Sequence, residues 1–96
     1  MRQTFIVTYD VCDAKRLRKV FKLMKGFGDH LQLSVFRCEL DPSDVVTLRA
    51  RLDEVIDHVV DQVLLIDVGP AEGRGATSIR ALGKAYVPPP GLALVV

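Results

Sequence analysis

Residues 3–27 read QTFIVTYDVCDAKRLRKVFKLMKGF, and the change of hydrophobic period inside this stretch decides the fold. Gln3 to Tyr9 is β-branched and aromatic and ends at Asp10, a composition that predicts a buried strand. Asp13 suits an N-cap, because a carboxylate there accepts from the free N–H groups of a first helical turn. From Lys15 to Phe27 the apolar residues Leu17, Val20, Phe21, Met24 and Phe27 recur at i, i+3, i+4 and i+7, which predicts an amphipathic helix. Gly26 and Gly28 bracket its end and suit a C-terminal cap.

Beyond this stretch, residues 31–40 read as extended, either one bent strand or two short strands meeting at a kink. Asp41-Pro42-Ser43-Asp44 opens a second helix, with Asp41 at the cap and Pro42 at the first helical position. Its buried stripe is expected at Val45, Leu48, Leu52, Val55 and Val59. Asp61 to Val68 is nearly all aliphatic and predicts a further strand. Strands and helices in this order, with short connections, predict a split βαβ sandwich: an antiparallel sheet with both helices on one face.

The composition then shifts, so residues 1–68 read as the core and 69–96 as a Gly/Pro-rich extension. Residues 69–91 hold five of the seven glycines and four of the five prolines. Within them Thr77 to Leu82 predicts a short edge strand, and Pro88-Pro89-Pro90 a stiff spacer. Residues 91–96 form an apolar tail, expected to pair with a sheet in cis or on a partner subunit, since an apolar edge left in water invites aggregation.

At 96 residues the chain has no room for a second, cofactor-binding domain. A chain of this size buries about 60–65% of its unfolded surface, so oligomerisation would add burial that one copy lacks. No run approaches the roughly 18 apolar residues of a membrane span. Cys12 and Cys38 behind no secretory leader read as reduced thiols in a cytoplasmic protein. The net charge of +1 (13 Lys and Arg against 12 Asp and Glu) argues superficially against a polyanion partner. Its distribution argues the other way: Lys15, Arg16, Arg18, Lys19, Lys22 and Lys25 lie close together with no acid between them. On a helical wheel these cations oppose the Leu17/Val20/Met24 stripe, with Arg16 on the flank. Like charges at this spacing repel by a few tenths of a kcal/mol per pair, so the face is either simply solvated or held against phosphates. No base-reading pattern accompanies it, so any nucleic-acid binding should be sequence-tolerant and salt-sensitive.

Asp10, directly after a buried strand and three residues before Asp13, is either a cap or an oxygen ligand for a hard divalent cation. One carboxylate makes a poor Mg²⁺ site, and two copies across a dimer axis make a better one. His30, His58, Cys12 and Cys38 lack zinc-ligand spacing, and Gly73-Arg74-Gly75 belongs to no phosphate-loop pattern.

Tyr9-Asp10-Val11-Cys12-Asp13, then Arg16-Leu17-Arg18-Lys19-Val20, Gly28 and Gln32-Leu33-Ser34-Val35-Phe36-Arg37-Cys38, closely resemble the CRISPR-associated Cas-two family. The resemblance is strong through residues 5–40 and looser beyond. It implies a ferredoxin-like βαββαβ sandwich that forms a homodimer, with a C-terminal strand pairing across the two protomers. It implies a partnership with the CRISPR-associated Cas-one integrase in capturing double-stranded DNA as prespacers for antiviral defence. It also implies a metal-dependent endonuclease acting on single-stranded RNA or double-stranded DNA. Catalytic Asp10 of both protomers would then hold Mg²⁺, or Mn²⁺ in its place, at the dimer interface. Tyr9 matches a second catalytic position. Arg16, Arg18 and Phe36 match further positions implicated in activity or nucleic-acid contact, and Lys15, Lys19 and Lys22 of the cationic helix face are the expected additional nucleic-acid contacts. Where some nuclease-active members carry Arg before the Gln-x-Ser-Val-Phe strand, this chain has His30-Leu31, a weaker phosphate ligand above pH 7.

Overall fold

The computed structural model describes residues 1–86, so the expectations for Pro88 to Pro90 and for residues 91–96 lie outside the described residues. The chain runs β1 (Gln3–Asp10), α1 (Ala14–Lys25), β2 (Asp29–Gln32), β3 (Val35–Leu40), α2 (Pro42–Val55), β4 (Gln62–Pro70) and a short α3 (Arg74–Thr77). The strands form one antiparallel sheet in the order β2-β3-β1-β4, the ferredoxin-like arrangement. Residues 31–40 resolve into two strands: β2 and β3 are a hairpin turning at Leu33 and Ser34.

Strand alternation separates the two faces of the sheet. Val7, Tyr9, Phe36, Cys38 and Leu40 are buried with Val20 and Met24 of α1 and Leu48 and Leu52 of α2, in one core. Both helices therefore cover the same face. Gly28 lies where the chain leaves α1 against β3: a Cβ there would collide with the Cys38 sulfur and the Arg37 carbonyl oxygen. Close approach requires this glycine. Gly26 caps α1 in ordinary right-handed geometry.

Three expectations change. The stripe of α2 stops before Val59, which is 91% exposed. The helix ends at Val55 because Ile56 turns extended, and the Asp57 and Asp61 carboxylates hold the following turn by accepting from the N–H groups of Val59 and Asp57. β4 continues past residue 68 to Pro70, since a register shift beside Thr4 and Phe5, with Gly69 at φ +110°, lets the pairing resume. Thr77 to Leu82 forms no strand. The Thr77 and Ser78 hydroxyls donate to the Arg74 carbonyl, a local bond that competes with a sheet ladder. α3 instead lies on the uncovered face: a Cβ on Gly75 would collide with Thr4. Arg37 is buried there, donating to Glu39 and to the Gly75 carbonyl.

Candidate functional site

α1 begins at Asp13, whose carboxylate accepts from the Arg16 N–H at 3.0 Å. Val20 and Met24 are buried, and Lys15, Arg18, Lys19, Lys22 and Lys25 are exposed. Among the described residues none of these five makes an ion pair. Lys22 and Lys25 suit the negative end of the helix dipole. Lys15 lies in the first turn, which contains no acid of its own and is capped by Asp13.

Arg16 stands apart from the other cations. Its Nε donates to Asp61 Oδ2 at 2.8 Å, and its Nη2 to Oδ1 at 3.3 Å. Asp61 also accepts from the N–H groups of Cys12 and Asp57. The Arg16 guanidinium, helped by those two N–H groups and opposed by desolvation, holds the Asp61 carboxyl well below the usual carboxylate range. The same bond raises the pKa of Arg16. Asp61 thus clasps the β1–α1 loop, α1 and the turn before β4. The sequence reading missed it, and the available signal was an isolated acid heading an aliphatic strand.

Tyr9 and Asp10 are adjacent in sequence but are not brought together. Tyr9 faces the helices and is 6% exposed, and its hydroxyl is buried without a hydrogen-bond partner. An unmet buried hydroxyl costs on the order of 1–3 kcal/mol. Burial raises the Tyr9 pKa and keeps the phenol protonated at neutral pH. Phe36 is sealed in the core beside it, the ring centroids 6.2 Å apart. That corrects the expectation of direct nucleic-acid contact for Phe36, because no part of the ring reaches the surface. Asp10 is exposed at the opposite face, in register with Gln62. There Ile6 pairs with Ile66 and Thr8 with Leu64, and Leu64 and Ile66 are exposed.

No group of three His, Cys, Asp or Glu side chains among the described residues is placed to hold a metal ion. Asp10 offers one exposed carboxylate on the sheet face opposite the helices.

Between α1 and the β2–β3 hairpin lies a cleft of about 880 Å³. Tyr9, Leu17, Phe21 and Leu33 wall it, and His30 stands at 5.0 Å, edge-on to Phe21. Lys15, Arg18, Lys19 and Lys22 line it from α1.

The fold agrees with the comparisons. Residues 3–73 match the family model for CRISPR associated protein Cas2. A CRISPR-associated endoribonuclease Cas2 from Geobacter sulfurreducens is 41% identical over 88 residues, 92% of each chain. A CRISPR-associated endoribonuclease Cas2 from Rhodospirillum rubrum is 45% identical over 82 residues, 85% of this chain and 79% of the relative. The crystal structure of Streptococcus pyogenes Cas2 at pH 6.5 superposes with a TM-score of 0.73 at 33% identity, covering 83% of this chain and 99% of that one. The chain belongs to the CRISPR-associated Cas2 family. No helix among the described residues is long and apolar enough to cross a membrane.

Proposed function

We propose that this chain is the homodimeric nucleic-acid-binding subunit of a CRISPR spacer-acquisition complex, working in the cytoplasm with a Cas-one integrase on double-stranded DNA prespacers. The observation that carries this reading is the row of five exposed cations on α1, without ion pairs among the described residues and partly set against the helix dipole. Such a face gains from releasing the counterions of a phosphate backbone, which makes binding sequence-tolerant and steeply salt-dependent. Lys15, Arg18, Lys19 and Lys22 contact phosphates, while Arg16 orients the helix through Asp61. The second copy docks on the sheet face opposite the helices, where Ile6, Leu64 and Ile66 present apolar surface beside the edge of β4, which pairs with no other strand than β1 among the described residues. Fluorescence anisotropy with duplex DNA tests the reading. Wild type should bind with an affinity that falls steeply between 50 and 200 mM salt, on the order of tenfold or more for several phosphate contacts. Binding that ignores salt overturns it.

A second reading, an endonuclease acting on RNA or DNA, is favoured by the exposure of Asp10 on the same face as the proposed dimer contact and by the names of the relatives. Paired Asp10 carboxylates would hold Mg²⁺ or Mn²⁺, which when bound lowers the pKa of water and stabilises charge on the scissile phosphate. Each chain contributes one carboxylate, so this activity requires the dimer. Asp10→Ala separates the readings: cleavage lost with duplex binding and spacer acquisition retained supports the scaffold as the primary function. A wild type that cleaves neither RNA nor DNA in Mg²⁺ or Mn²⁺ removes the nuclease reading.

A further inference from the structure

We propose that the cleft between α1 and the β2–β3 hairpin receives one unpaired nucleotide of a bound strand, its base against the leucine and aromatic wall and its phosphate among the α1 cations. This rests on the nucleic-acid reading of α1 and adds to it a preference for unpaired positions.

The cleft joins two chemistries that a duplex backbone does not use together. Leu33, at the hairpin turn, is 91% exposed, and Leu17 on the facing helix is 38% exposed. These apolar groups stand in a cleft also lined by four cations. Duplex phosphates match the cations and leave Leu17 and Leu33 in water, whereas an unpaired base offers a flat apolar face attached to a phosphate. Phe21 and His30 line the same cleft, and the buried Tyr9 hydroxyl lacks a partner. At about 880 Å³ the cleft falls in the size range of sites that enclose small ligands.

A free mononucleotide shares this chemistry, but the length of the cationic face favours a strand. Lys15 and Lys25 are ten residues apart, about 15 Å along the helix, further than one nucleotide's phosphate can serve. The cations beyond the cleft are placed for neighbouring phosphates. A leucine and aromatic wall grips any base, so the preference should be for unpaired over paired nucleotides and nearly indifferent to base identity.

The test compares a blunt duplex with the same duplex carrying a three-nucleotide single-stranded extension, at one salt concentration. The extended duplex should bind about tenfold more tightly. 2-Aminopurine should change its fluorescence on binding when placed in the extension and not when paired. Leu33→Ser, at an exposed turn where folding is safe and checkable by thermal melting, should bring the two affinities together while blunt-duplex binding persists. Equal affinities in the wild type, with both duplexes bound, overturn the inference and leave the cationic-face reading standing. Failure to bind either duplex overturns the underlying reading as well. Adenosine monophosphate that displaces the extension as effectively as a single strand of equal nucleotide concentration overturns the commitment to a strand.

Discussion

The two faces of β1 differ more than its two ends. On one, Val7 and Tyr9 are packed under both helices with Phe36, Cys38 and Leu40. On the other, Ile6, Thr8 and Asp10 alternate with them and pair with Ile66, Leu64 and Gln62 on β4, under neither α1 nor α2. α3 covers only the end of that face near Thr4. The closed face has placed its apolar residues inside the protomer and turns cations outward through α1. The open face keeps apolar residues and the Asp10 carboxylate at its surface. Tyr9 and Asp10 accordingly lie on opposite sides: the first in the helix-covered core, the second at the surface of the open face.

Truncation on each face puts this contrast under the greatest stress. Phe36→Ala, in the closed core, should cost about 3–5 kcal/mol in urea denaturation. Ile66→Ala on the open face should cost about 0.5 kcal/mol in a monomer but weaken self-association in sedimentation. Equal losses of stability without any change in association would show that the two faces are not distinct.

Next in size is charge reversal on α1. Glutamate at Lys15, Lys19 and Lys22 together should lower duplex affinity by about two orders of magnitude and flatten the salt slope by up to about 0.9 for each phosphate no longer neutralised. Association through the open face should not respond. Arg16→Gln should behave differently, disturbing the fold through Asp61 and leaving most of the salt slope in place.

The pH dependence of stability separates Arg16 from its neighbours in a second way. Asp61 has a folded-state pKa held below its unfolded value of about 4, first by the Arg16 side chain. The folded state therefore binds fewer protons there, and the contribution is present above the unfolded pKa and lost as the pH falls below it. Asp41 adds in the same direction, its carboxyl lowered chiefly by the Asp44 N–H and then by the Ser43 hydroxyl. Thermal melts between pH 7 and pH 3 should show a declining Tm. Asp61→Asn should lower Tm at pH 7 by on the order of 10 °C and flatten the decline.

What could be read in the sequence was what is local. The period change between β1 and α1, the Asp13 and Asp41 caps and the Leu48/Leu52 stripe depend on residues within a few turns of one another, and each stands where the pattern places it. Asp61 was illegible because its partner Arg16 lies 45 residues away and only the folded sheet joins them. Val59 continued a helical period that two carboxylate-bound turns interrupt, and Thr77 to Leu82 has strand composition but side chains that bond to their own backbone. For the site, the cations were legible by their crowding. The opposition of Tyr9 and Asp10 was implicit in strand alternation, which puts successive side chains on opposite faces.

The smallest expected effect concerns the two cysteines, which test whether the closed face stays closed. Cys12 is exposed in the β1–α1 loop, whereas Cys38 is buried on the helix-covered side of β3. Burial, assisted by Asp29 and opposed by Arg37, pushes the Cys38 thiol up to about 12. It is thus both inaccessible and protonated at neutral pH, and only the thiolate reacts. A chromogenic disulfide reagent at pH 8 should titrate one thiol in the native protein and the second only after denaturation. In sub-denaturing urea the rate at Cys38 should follow the opening of the α1–β3 packing, while that at Cys12 stays nearly constant. If both thiols react at one rate in native buffer, the helices do not seal this face. The contrast between the two sides of β1 would then be one of residue type alone.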